Sequence, residues 1–571
     1  MRIEQKDFFM LLSGINQYQI PIYQRNYAWK KDQCQRLLDD IVKAGKPGNP
    51  NHYIGSVIVK SEGDMGGVNV YNVIDGQQRT TTITLLLLAL TEYWSTRPLA
   101  SVQSTTAKIL ENIKQAYLTN VIFSGSSLFT KVLPKSGNDR IEYDNLLHGV
   151  IGNGAISANY SFFLHELESK AYNQEEIYNG IKNSQLALVT LDANENPQLL
   201  FEAVNDTGVD LTDVDLVRNW IFMGLSGTDQ DKLYREYWEP IEKLSLGKTD
   251  KLLFYFTQLK SESSKAQHYY NVFKKKFILY AGSAEKVENL LKEIKKYAEL
   301  YKMYITTSSK NKPLKIILER LINTKKDVFT PLILKILYQL DLNILQQDDA
   351  MEMLNYIEAY IVRRDILTIP TNSLGEAMIS LLKNCGTLSD FTTEIKKLKD
   401  SRRMPDDTEM HTQLQLKDFY NLSGAYGYLE RIEKFLNPAF SLDDPTIEHI
   451  LPETMHTTSF PKKGVSPNNV DDYNWELDLG AEAQAIHDKY QHTIGNLTIL
   501  PRRENSRMGD LRFEKKQKWS NISSGGFNYG YLYTPIRISQ SLGKNAKWDE
   551  SAILARCAEM VNYICQIWPH P

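Results

Sequence analysis

Ile447-Glu448-His449-Ile450-Leu451-Pro452, followed about forty residues later by Gly495-Asn496-Leu497-Thr498-Ile499-Leu500-Pro501-Arg502-Arg503-Glu504-Asn505, governs how this chain is read. An acid and a histidine close one short strand. An asparagine opens the next, and a second asparagine starts a helix. That order suits phosphodiester hydrolysis, which needs a base to activate water and a hard cation to neutralise charge on the phosphate. His449 suits the base, because an imidazole titrates near neutral pH. Glu448 and Asn505 offer carboxylate and amide oxygens, the donors that Mg²⁺ or Mn²⁺ prefers. A single acid-histidine pair points to one metal ion, since two-metal sites need more carboxylates. Asn496 is placed to hold the His449 imidazole through its second nitrogen, fixing its tautomer and angle.

Between Asn496 and Ser520 seven cations face three acids, a local net of +4 in a chain of net charge −3. Arg502, Arg503 and Arg507 are the candidates for phosphate contact. Each piece has a plainer reading: a Glu-His pair is often a polar surface pair, and a basic helix is often a solvated face. Their co-occurrence carries the argument. A structural zinc site is disfavoured, because the four cysteines form no CxxC pair. Of the nearby histidines, His492 is expected to share the site, and His456 and His487 to be loop or surface residues.

From about residue 418 onward the chain resembles the HNH (His-Me finger, ββα-metal) nuclease half of GmrSD-type modification-dependent (type IV) restriction enzymes, which carry an EHxxP…GNLTLL…N pattern. The HNH domain of RNA-guided nucleases is similar at the same places. The resemblance implies that His449 is the general base, that Glu448 and Asn505 bind metal, and that Asn496 orients the histidine. Glu448 departs from the Asp of many HNH nucleases.

A second constellation lies near the N-terminus. Residues 53–60 and 69–74 are short and β-branched, with Gly63, Gly66 and Gly67 between them, and predict two strands joined by a glycine turn. Asp75-Gly76-Gln77-Gln78-Arg79 follows, then an apolar run from residue 83 that predicts a buried helix too short to span a bilayer. The segment therefore sits where a strand hands over to a helix, whose unpaired amides favour phosphate. Arg79 adds a phosphate ligand, and Asp75 can meet a metal ion or a ribose hydroxyl. A plain turn with an N-cap reads equally well, and the Walker A pattern is absent.

Upstream, Ile20-Pro21-Ile22-Tyr23-Gln24-Arg25-Asn26-Tyr27-Ala28-Trp29 gathers three aromatics in ten residues. PxYQRxYxW with DGQQR resembles the other half of GmrSD-type enzymes, a ParB/sulfiredoxin-like NTPase and sensor domain. A third element of that family is matched by Phe201-Glu202-Ala203-Val204-Asn205-Asp206-Thr207-Gly208 and by Leu211-Thr212-Asp213-Val214-Asp215-Leu216-Val217-Arg218-Asn219. The resemblance implies that Asp75, Gly76, Gln77, Gln78, Arg79 and Asn205 serve nucleotide binding or hydrolysis, GTP above other NTPs. It implies that Tyr23, Gln24 and Arg25 contact modified DNA. Phosphorothioate-sensing Ssp-type nucleases share this plan.

At 571 residues the chain is too long for one core. The expected architecture is α+β and multidomain: a ParB-like domain over 1–225, a helical spacer over 226–417 and an HNH domain over 418–571. With 42% hydrophobic and 24% charged residues it reads as an ordinary soluble protein. Four scattered cysteines and no secretory leader point to the cytoplasm, with no membrane partner and with homo-oligomerisation open. The expected function is a nucleotide-regulated, metal-dependent DNA endonuclease that restricts foreign (phage) DNA by its modification. The alternative is a nucleotide-gated DNA-binding NTPase of a defence system whose HNH segment is inactive.

Overall fold

The computed structural model describes residues 1–48, 52–96, 113–134, 137–169, 172–192, 195, 212–263, 268–519 and 530–571. Contacts divide the chain into two compact units, Met1–Thr257 with Ala266–Ala298, and Gln258–Lys265 with Glu299–Pro571. The helices of 226–417 fall on both sides of that division.

The first unit is built on a mixed sheet. Its strands are β1 (Arg2–Asp7), β2 (Asn16–Ile20), β3 (His52–Met65), β4 (Val68–Asp75), β5 (Val132–Pro134) and β6 (Ser184–Leu191), in the order β1-β6-β3-β4-β2-β5. β3 and β4 form the expected antiparallel pair, with Met65 opposite Val68. Gly66 and Gly67 both have positive φ, 65° and 93°, as a tight two-residue hairpin turn requires. Gly63 is not part of that turn. β3 runs on past it, and the register shifts between Ser61 and Gly63, so this glycine marks a bulge.

β4 ends at Asp75, and the helix Gln77–Ser95 starts at once, with Gly76 as its N-cap. This helix is buried nearly all round, which is why its leucine run shows no amphipathic stripe. Two of its buried threonines satisfy their hydroxyls on carbonyls one turn back, Thr82 on Gln78 and Thr84 on Thr81, both at 2.7 Å. Leu85, Leu86 and Leu87 share a core with Val57 and Val59 of β3 and with Phe163.

The second unit is mostly helical; Lys312–Asn323 buries one face, Leu314, Ile317, Leu318 and Leu321, as the sequence periodicity predicts, whereas Gln347–Ile366 is buried all round from Ile357 to Arg364. Near its end lies a small antiparallel pair, β7 (Pro445–His449) and β8 (Leu497–Pro501), with Ile447 opposite Ile499 and His449 opposite Leu497. The helix Arg502–Met508 follows β8 directly. The turn before β8 packs on the C-terminal helix Glu550–Ile567 so closely that a Cβ on Gly495 would clash with the Ile553 carbonyl. That contact explains the glycine of the Gly-Asn-Leu-Thr segment. Among the described residues no helix is long and apolar enough to cross a membrane.

Candidate active site

β7 delivers two consecutive residues to opposite faces, as a strand must. His449 sits at its end beside Tyr420, with ring centroids 4.3 Å apart, and beside His492. Burial, with His492 and Lys516 acting in the same direction, pushes its imidazole down to about 3, so the ring is neutral at physiological pH. Its Nε2 lies 3.1 Å from Nδ1 of His492. His492 is fixed in turn: its carbonyl accepts from Phe419 and Tyr420 backbone amides at 2.9 and 3.2 Å, and the Tyr420 ring stacks on its imidazole. Nδ1 of His449 lies 4.0 Å from the Glu453 carboxylate. His449, Glu453, Arg502, Asn505 and Asp510 line one open pocket of about 500 Å³.

Glu448 faces the other way. Its Oε1 accepts from Nζ of Lys516 at 2.5 Å, and the Tyr531 hydroxyl approaches it at 3.5 Å. Glu448 is 3% exposed and Lys516 not at all, so little of the pair meets solvent, although Glu448 is among the residues that line the pocket at His449. Burial raises the Glu448 carboxyl, and the Lys516 ammonium opposes that rise. The carboxylate expected as a metal ligand is thus held by an internal ammonium in this structure. Lys516 is likewise not part of a phosphate-facing patch. It is the anchor of β7, donating also to the His449 carbonyl at 2.8 Å.

Asn496 is also reassigned. Its Oδ1 accepts from Leu451 N at 2.7 Å and from Trp548 Nε1 at 3.1 Å. Its Nδ2 donates to the carbonyls of Leu451 and Gln491 at 2.8 and 2.9 Å. The amide has no capacity left for the imidazole. Asn496 pins the backbone just after His449, and His492 holds the ring in its place. His487, expected at the surface, is buried and assists: its Nε2 lies 2.9 Å from the Pro452 carbonyl. His456 pairs with Asp510 at 2.7 Å. Replacing Asn496 by alanine strands three buried partners and a part-buried one. The expected loss is about 3 kcal/mol or more of stability, read as a lowered calorimetric transition; an unchanged transition would refute this role.

Asn505 lies on the first turn after β8 and donates Nδ2 to the Ile447 carbonyl at 2.8 Å, which leaves its Oδ1 on the opposite arm of the amide. Arg502, Arg503 and Arg507 are exposed on the same helix, and Arg502 pairs with Asp444 at 3.1 Å. Glu453 escaped sequence reading. Its only signal was an acid four residues after His449, which is too common to be informative.

In the first unit the two N-terminal segments interlock. Gln24 donates to the Ile74 carbonyl at 2.9 Å and accepts from Gln77 at 3.1 Å. Gln78 accepts from Ala28 N at 2.9 Å and donates to the Asn26 carbonyl at 3.2 Å. Tyr23 is 2% exposed, and its carbonyl accepts from Arg218 Nε at 2.7 Å. Arg218 also binds Asp215 at 2.5 Å, so the third segment is tied in. Tyr23, Gln24, Gln77 and Gln78 thus hold the segments to one another, and Gln77 and Gln78 also line a small pocket with Arg25. The part-exposed groups at this strand-helix junction are Arg25, Asp75, Gly76 and Arg79. Burial raises the Asp75 carboxyl, with the Gly76 amide, Arg79 and Arg25 opposing. Arg79 reaches the Ser56 carbonyl at 3.1 Å, and Nε of Arg25 is buried without a partner. Asn205 lies outside the described residues.

Two models of one family match this chain. The GmrSD restriction endonuclease N-terminal domain matches residues 8–222, and the GmrSD restriction endonuclease C-terminal domain matches residues 404–563. The chain belongs to the GmrSD restriction endonuclease family. A comparison with curated proteins finds no match. The GmrSD N-terminal match takes in the interlocked segments of the first unit, and the C-terminal match takes in Tyr420, both strands β7 and β8, and the whole pocket at His449. Membership makes DNA the substrate and restriction of modified DNA the activity of this GmrSD protein.

Proposed function

We propose that the pocket at the end of β7 is an HNH-type nuclease centre in which His449 is the general base. The observation that carries this reading is a neutral imidazole, held by His492, opening on a pocket shared with Asn505 and Arg502. For Nδ1 to take a proton from water, Nε2 must carry the ring proton and donate it to Nδ1 of His492, which fixes the tautomer. His492 therefore has the orienting role. Arg502, Arg503 and Arg507 grip flanking phosphates.

A divalent cation, Mg²⁺ or Mn²⁺, fits the oxygen donors that remain. The Oδ1 of Asn505 and the half-exposed carboxylate of Glu453 line the same pocket, and Glu448 is excluded by its pairing with Lys516. Bound there, the cation would neutralise charge on the cleaved phosphate. In the N-terminal domain, ParB-like in this reading, the junction of Arg25, Asp75, Gly76 and Arg79 at a helix N-terminus takes the phosphates of an NTP, GTP above others. Its occupancy regulates cutting.

One observation favours the second reading. Glu448 is committed to Lys516, so the segment would be an inactive nuclease in a nucleotide-gated DNA-binding protein. Nicking assays of the full chain separate the two, on plain, glucosylated-hydroxymethylcytosine and phosphorothioate DNA, each with Mg²⁺ and with or without GTP. The nuclease reading expects Mg²⁺-dependent cutting of at least one modified substrate, changed by GTP. No cutting of any of them would leave the second.

A further inference from the structure

We infer that His449, Glu453 and His492 form a second cation site, sharing Glu453 with the Mg²⁺ position, selective for a borderline metal such as Zn²⁺ and inhibitory when filled. One ligand atom from each residue lies within 4.8 Å of the others. The 3.1 Å between Nε2 of His449 and Nδ1 of His492 is close to the roughly 3.3 Å that separates two ligands on a tetrahedral zinc ion. A cation can therefore sit between the two nitrogens with little movement of either ring, the proton of Nε2 shifting to Nδ1 of the same imidazole.

The rings are already oriented. Tyr420 packs against both imidazoles, and the His492 carbonyl is anchored by two backbone amides. The Glu453 side chain is 55% exposed, so its carboxylate can swing in without breaking a packed contact. Two imidazoles and one carboxylate leave a fourth position open towards the pocket, as three-ligand zinc sites do. The chemistry selects the metal. Imidazole nitrogen favours Zn²⁺ over Mg²⁺, which prefers oxygen.

With the cation on Nε2 of His449, the neutral ring carries its proton on Nδ1, the nitrogen that the base needs free. Filling the site therefore stops the base and leaves the phosphate-binding arginines untouched. This inhibitory consequence rests on His449 being the base, as proposed above; the binding site itself does not.

The test uses the full chain, stripped with a chelator and dialysed, then titrated calorimetrically with ZnCl₂. Saturable binding is expected that millimolar MgCl₂ does not displace. Glu453→Gln and His492→Ala are each expected to weaken it at least about tenfold, and His411→Gln, at a part-exposed histidine outside the site, to leave it unchanged. Co²⁺ in place of Zn²⁺ should give a visible absorption band that both site variants lose. Absence of saturable Zn²⁺ binding, or undiminished binding in both variants, would overturn the site. Because Glu453 is exposed, its variant cannot be dismissed as unfolded. The titration contains no DNA, so failure to cut DNA would count against the nuclease reading and not against the site. If the wild-type protein cuts DNA with Mg²⁺ and saturating Zn²⁺ leaves the rate unchanged, the inhibitory role is wrong.

Discussion

Replacing His449 by alanine is expected to lower DNA nicking by about a thousandfold, the scale of losing a positioned general base. Binding to the same DNA should change little. The imidazole is 8% exposed and neutral, and its position depends on His492 and Tyr420 rather than on the phosphate-facing arginines. Alanine therefore removes the proton acceptor and leaves Arg502, Arg503 and Arg507 in place. The measurement pairs an Mg²⁺-dependent nicking rate with a fluorescence-anisotropy titration. Wild-type nicking by the variant would remove His449 as the base. A companion variant, His492→Gln, should keep more activity than His492→Ala, because an amide oxygen can still accept from Nε2.

The second large effect concerns Lys516. Replacing it by methionine leaves the Glu448 carboxylate buried among Tyr531 and β7 with no counter-charge, a type of change that costs about 3–5 kcal/mol. Glu448→Gln leaves the ammonium in the same position. The double variant Glu448→Gln/Lys516→Met removes both charges and is expected to recover much of the loss, a non-additivity that isolates the pair. Calorimetric melting of the four proteins reads it. Should Lys516→Met melt like the parent, the ion pair is not a structural element. Should Glu448→Gln melt normally but lose Mg²⁺-dependent cutting, Glu448 is a ligand after all.

Much of the site was legible in the order of residues along the chain. The strand ending in His449, the second strand, and the helix bearing Asn505 all follow from short β-branched runs, a glycine and a cluster of helix-favouring residues, which are local signals. The N-terminal hairpin and the buried helix after Asp75 were legible for the same reason. What local signals do not carry is which way a polar side chain turns once the chain closes. Asn496 and Glu448 are both polar and both adjacent to the histidine in sequence or in space, and each proved committed to a buried partner.

Local pattern thus settled the elements, their sequence and the histidine at the mouth of the pocket. Apart from His492, which the sequence already placed at the site, the polar partners around that histidine came only from packing. Lys516 lies 68 residues from Glu448, and Trp548 lies 52 from Asn496. Each pairing forms because a polar group cut off from water must find a partner wherever the folded backbone brings one. No periodicity or spacing along the chain encodes that meeting.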